Sequence, residues 1–131
     1  MASIFSRIIA GEVPCHKVAE NDEFFAMLDI NPVAEGHTLV IPKQEIDYLF
    51  DIDDEALGRM MKFAKTVAHG MKNVIPCKRI GLTVIGLEVP HAHIHLIPIQ
   101  IESDMYFGKT RLKKEPEELA QTAALIREQL A

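Results

Sequence analysis

A chain of 131 residues has enough surface to bury one hydrophobic core of its own, so the sequence predicts a single domain over residues 1–131. Hydrophobic residues make up 48% and charged residues 25%, and no apolar run reaches the roughly 18 residues a bilayer demands, which excludes a disordered or membrane-spanning chain. A formal net charge of −5 excludes the basic face that nucleic acid requires.

The opening stretch MASIFSRIIAGEVP lacks the basic start, unbroken apolar segment and small-residue cleavage site of a secretory signal, so a cytoplasmic location is expected. Within it Ile4, Phe5, Ile8 and Ile9 recur at helical spacing and stop at Gly11 and Pro14, predicting a short amphipathic helix. CHKVAEN (15–21) and EFFAMLDI (23–30) read as two strands joined by a tight turn at Asn21 and Asp22. GHTLVIP (36–42) is a third strand, bounded by Gly36 and Pro42. DIDDEALGRMMKFAKTVAHGMKNV (51–74) is a long helix, capped by Asp53 or Asp54, with Leu57, Met60, Met61, Ala64, Val67, Ala68 and Met71 on its apolar face. RIGLTVIG (79–86) and AHIHLIPIQI (92–101) complete a five-stranded antiparallel sheet. EPEELAQTAALIREQLA (115–131) is an extra C-terminal helix with Pro116 in its first turn. Strands and helices without regular β-α-β alternation give the class α+β. Cys15 and Cys77, far apart and outside any CxxC, are expected to be reduced.

Two motif matches fail on chemistry. GKT at 108–110 resembles the end of a phosphate-binding loop, but Ser103 stands where that loop needs its first glycine. DIDDE at 51–55 has the alternating carboxylates of a calcium loop, but Ala56 replaces its turn glycine. The run VPHAHIHLIPI (89–99) is different, because it places His91, His93 and His95 at every second position. In a strand these three imidazoles share one face, with Ala92, Ile94 and Leu96 packed behind. Three adjacent imidazoles gain nothing over apolar residues as packing, since each needs its own hydrogen-bond partners. A metal held by two of the row plus His37 or His16 is one reading, although the ends of the row lie roughly 13 Å apart at about 3.3 Å per residue. Catalysis is the other. His93, flanked on both sides, is placed to attack a phosphorus centre while His91 and His95 donate hydrogen bonds to its oxygens.

HAHIHLI matches at every position the signature of the histidine-triad (HIT) family, His-Φ-His-Φ-His-Φ-Φ with Φ apolar, and the chain resembles that family over about residues 3–101. IFSRIIAGEVP resembles its opening helix, and FFAMLDINPVAEGHTLVIPK its two central strands. The resemblance implies transfer or hydrolysis of a nucleoside monophosphate through a nucleotidyl-histidine, without a cofactor. By it, His93 is the nucleophile, His91 and His95 are its flanking partners, and His37 is the supporting fourth histidine. Asp29 corresponds to the aspartate that accepts from the ribose hydroxyls, and Ile4, Phe5, Ile8 and Met27 to the apolar clamp on the base, for which ordinary core packing is an equal reading. It also implies a homodimer and a nucleotide substrate, a purine nucleoside monophosphate derivative.

Two departures stand beside the match. TVIGLEVPH is shorter than its counterpart, with Ile85 and Leu87 near where family members carry amides that reach the phosphate and leaving group. Ser3 and Ser6 replace a Cys-x-x-Cys that helps bind structural zinc in some bacterial relatives, and hydroxyls are poor zinc ligands, so no metal is expected. The reading is therefore a phosphoramidate-cleaving nucleotide hydrolase or transferase. A non-catalytic nucleotide-binding or interaction protein and a metal-dependent hydrolase stand as its alternatives.

Overall fold

The computed structural model describes residues 2–130. Ile4–Ile9 forms α1, which Ser3 caps by accepting a hydrogen bond from the Ser6 amide. Strands β1 (Lys17–Glu20), β2 (Phe24–Leu28) and β3 (Thr38–Pro42) follow. The long helix α2 spans Asp54–Val74, with Asp53 as its cap at 2.8 Å from the Ala56 amide. Strands β4 (Arg79–Thr83) and β5 (Ile94–Ile99) and helix α3 (Pro116–Leu130) complete the chain. The sheet order is β1-β2-β3-β5-β4, and every neighbouring pair is antiparallel. The turn at Asn21 forms because its side chain accepts from the amides of Glu23 and Phe24, and the hairpin it joins pairs directly.

The sheet separates two cores. Phe24, Ala26 and Leu28 of β2, Val40 of β3 and Ile94 and Leu96 of β5 face α2 and α3 and form the larger one. Phe25, Met27, Leu39 and Ile41 point the other way and meet Phe5 of α1. This two-sided burial explains the nearly unbroken apolar reading of β2 and β3.

The structure differs from the sequence reading at one core position and at the ends of several strands. Met61 lies 48% exposed, because α2 turns Met60, Ala64, Val67 and Met71 to the sheet and that stripe leaves Met61 off its edge. The last strand begins at Ile94 rather than Ala92, and β4 ends at Thr83, so 84–86 belong to a loop. The C-terminal helix forms where the sequence places it and packs into the core. Its Leu119, Ala123 and Ile126, at i, i+4 and i+7, are buried in the larger core, and α3 approaches α2 so closely at Gly70 that a Cβ there would stand 2.6 Å from Leu130. Both cysteines are free thiols.

Candidate active site

Four histidines gather on the α1 side of the sheet, His95 within β5 and His37, His91 and His93 in the segments that lead into β3 and β5. Gly36 turns the chain with φ 85°, a conformation that strains an L side chain, and sets His37 one residue before β3. The stretch leading into β5 is held without ladder pairing, by the His91 amide on the Val89 carbonyl at 2.8 Å and the Ala92 amide on the Ile46 carbonyl at 2.7 Å. His95 lies within β5, opposite Leu39. Ala92, Ile94 and Leu96 enter the larger core, so the alternation expected from the sequence holds across the row.

The hydrogen-bond partners fix the neutral tautomer of each ring, because a carbonyl accepts only and an amide donates only. His93 Nδ1 lies 2.8 Å from the His91 carbonyl and must carry its proton there, leaving the lone pair on Nε2. The Val33 amide donates to His37 Nδ1 at 3.2 Å, so His37 Nε2–H donates to His95 Nδ1 at 2.9 Å. The remaining proton of His95 then sits on Nε2. His91 Nε2–H donates to the Pro42 carbonyl at 2.8 Å, and its Nδ1 accepts from the Ser3 hydroxyl at 2.6 Å. His93 thus offers a lone pair where its neighbour His95 offers an N–H, and no other group among the described residues bonds either Nε2.

Burial reinforces this neutrality. It pushes His37 down to about 3 and His95 down to about 4, with the neighbouring histidines and Arg111 adding to the effect, and it lowers His93 below its ordinary value. The Asp29 carboxylate, 3.8 Å from His37 Nε2, therefore faces a neutral ring and forms no ion pair with it. Burial raises the pKa of Asp29, against the opposing pull of the Asn31 amide and of Arg111.

His93 and His95 open onto a cavity of about 720 Å³, a size that suits a small organic ligand. Ile4, Phe5, Ile8, Met27 and Leu39 line its apolar part, and Asp29 and Asn31 belong to its polar lining. The Phe5 ring meets the His93 ring edge-on, 4.9 Å between centroids. Phe5 and Met27 are buried core residues as well as cavity walls, so packing and lining are one role here. His37 stands behind His95. His91 is fully buried, with both ring nitrogens engaged by the protein, and does not line the cavity; the expectation that it donates to ligand oxygens is corrected, since its ring has no donor left to give.

Sequence reasoning missed two further groups. Phe107 and Arg111 line the cavity from the segment after β5; Phe107 packs on the His95 ring at 4.8 Å, and the Arg111 guanidinium lies 5.3 Å from the Phe107 centroid. No periodicity or motif marks them. The second group is Glu45 together with Ser3 and Ser6, which the sequence marked only as replacements for thiolates. Glu45 accepts from the Ser3 amide at 2.7 Å and the Ser6 hydroxyl at 2.6 Å, and Ser3 in turn holds His91, so α1 is bound to the histidine row. In the short loop, Ile85 and Leu87 stand exposed at the cavity edge.

The donor atoms of Asp29, His37 and His95 lie within 4.8 Å of one another. Their chemistry does not fit a metal ion. The facing nitrogens of the two rings are already a donor–acceptor pair, the Val33 amide keeps the His37 proton on the inward nitrogen, and Arg111 stands 3.9 Å from the same Asp29 oxygen. His16 is not part of this group, and at Ser3 and Ser6 hydroxyls hydrogen-bond where thiolates would be needed.

Fold and row together define a histidine-triad protein. The family model described as HIT domain matches residues 10–101, and the chain belongs to that family. Among its relatives, the adenosine 5'-monophosphoramidase of Saccharomyces cerevisiae is 44% identical over 101 residues, which cover 74% of this chain and 62% of that protein. The crystal structure of a Hit-like protein involved in cell-cycle regulation from Bartonella henselae superposes with a TM-score of 0.84 at 32% identity, covering 98% of this chain and 96% of the other. A zinc-bound histidine triad family protein from Mycobacterium smegmatis superposes with a TM-score of 0.81 at 25% identity, covering 99% and 94%.

Proposed function

We propose that this protein hydrolyses, or transfers the nucleotidyl group of, a nucleoside 5'-phosphoramidate or related nucleoside monophosphate derivative, through a nucleotidyl-histidine on His93. The observation that carries the reading is the tautomer pattern: a lone pair on His93 Nε2 opens onto the cavity beside a donor on His95 Nε2. Nε2 attacks the α-phosphorus, the N–P bond forms as the bond to the leaving amine breaks, and the amine takes its proton from water at the open mouth. The positive charge that develops on the His93 ring is met at Nδ1–H by the His91 carbonyl. Water then attacks the phosphorus, releasing nucleoside monophosphate and restoring the lone pair. His95 donates to a phosphoryl oxygen, His37 holds His95 in the donor tautomer, and His91 positions His93 through its own carbonyl. Asp29 accepts from the ribose diol, with the purine against Ile4, Phe5, Ile8 and Met27. The yeast relative's activity on an adenosine 5'-monophosphoramide is consistent with this assignment.

His93→Ala tests it. With adenosine 5'-phosphoramidate, release of AMP should fall by at least about a thousandfold while AMP affinity changes little, since a nucleophile acts mainly in the transition state. A trapped nucleotidyl adduct should map to His93 by mass spectrometry. Turnover surviving in the variant, or an adduct elsewhere, refutes the mechanism. AMP binding without any turnover by the wild-type protein favours the non-catalytic reading, which the amide-free Ile85–Leu87 edge supports.

The same reading extends to a homodimer, for which β4 offers an unpaired sheet edge bearing an exposed Leu82, and to a cytoplasmic setting that keeps Cys15 and Cys77 reduced.

A further inference from the structure

The cavity has an unbalanced charge for an anionic ligand. Its lining carries two carboxylates, Asp29 and Glu88, and among the described residues a single guanidinium or ammonium, Arg111. His93 and His95 offer a lone pair and a neutral N–H, and their burial opposes a charge on either. The loop that replaces the family's amide-bearing turn brings Ile85 and Leu87 to the edge. Apart from Arg111, a phosphate entering this site would meet side-chain donors that are all neutral, the His95 N–H and the Asn31 amide, beside two negative groups.

Arg111 is also built in. The segment after β5 folds back over the row. The Leu112 amide donates to the Pro32 carbonyl at 2.9 Å and Arg111 Nη1 to the Asn31 carbonyl at 2.6 Å, while Phe107 lies between the guanidinium and the His37 and His95 rings. One guanidinium nitrogen is thus committed to the backbone, which fixes the plane. Nε and Nη2 have no hydrogen-bond partner among the described residues. Asp29 lies 3.9 Å from Nη1, beyond a hydrogen bond. A planar fork with unused donors, held still and facing a cavity, matches the geometry by which arginine takes two oxygens of one phosphate.

We propose that Arg111 is the anion-recognition residue of this cavity, holding the phosphate of the nucleotide and making the site select nucleoside monophosphates over nucleosides. This rests on the nucleotide reading of the site and adds to it a residue outside the 10–101 family match. Selectivity arises because desolvated phosphate needs a compensating charge, whereas a neutral nucleoside loses nothing when that charge is removed.

Calorimetry with AMP and adenosine on the wild-type, Arg111→Gln and Arg111→Lys proteins tests the assignment. Arg111→Gln should weaken AMP by at least about tenfold and adenosine by less than about twofold, Arg111→Lys should recover part of the loss, and added salt should weaken AMP more in wild type than in Arg111→Gln. Unchanged AMP affinity in Arg111→Gln overturns the proposal alone. Equal losses for AMP and adenosine overturn it too, since they make Arg111 a structural clamp on Phe107 and Asn31. Failure of the wild-type protein to bind AMP overturns the nucleotide reading and this proposal with it.

Discussion

At the scale of single residues, the row works because each ring sees a different neighbour. His91, His93 and His95 are chemically identical and evenly spaced, yet one is buried against Pro42 and Ser3, one keeps a lone pair toward the cavity, and one keeps a proton there. Protonation of His93 would remove the lone pair, and burial lowers its pKa below the ordinary histidine value of about 6.5. The release of nucleoside monophosphate should therefore rise on an acid limb with its midpoint below about 6.5 and stay level from there to pH 8. His95, held near 4, adds no second limb in that range. A stopped-flow or chromatographic rate profile checks this, and a midpoint above 7 contradicts it. The spacing of these residues was legible in the sequence, and so was their common face. Their unequal roles were not, because Pro42, Ser3 and Val33 reach the rings from other segments of the chain.

At the scale of elements, alternation and capping carried most of the structure. Asp53 caps α2, Asn21 turns the first hairpin, and the strands that read as apolar lie in the centre of the sheet. The reading weakened where an element's fate depends on what packs across it. Met61 has the right residue type for a core position but lies off the stripe that faces the sheet. α3 lies outside the family match and still contributes Leu119, Ala123 and Ile126 to the core. Ile126 is wholly buried, so Ile126→Ala should lower unfolding free energy by about 2–5 kcal/mol, read as a fall in the urea midpoint with little change in slope. A loss within about 0.5 kcal/mol would mean that α3 is dispensable.

At the scale of the whole molecule, burying two neutral imidazoles has a cost that depends on pH. His37 and His95 take up protons at about 3 and 4 when folded and at about 6.5 when unfolded. Between those values the unfolded chain binds more protons, so stability falls as pH drops from about 6.5, by up to about 1.4 kcal/mol per pH unit for each ring. The raised pKa of Asp29 acts in the opposite direction. Urea unfolding at pH 7 and pH 5, above the range in which most carboxylates titrate, should give a lower midpoint at pH 5; equal midpoints contradict the burial of neutral rings. The chain by itself determined the class of the fold, the family, the shared face of the row and the aspartate at the strand end, because each follows from local periodicity or a contiguous motif. The tertiary structure alone decided which ring nitrogen holds each proton, which histidine reaches the cavity, and that Phe107 and Arg111 close over it. Those properties depend on hydrogen bonds and contacts between segments as far apart as Ser3 and His91 or Asn31 and Arg111, and no local pattern encodes such distances.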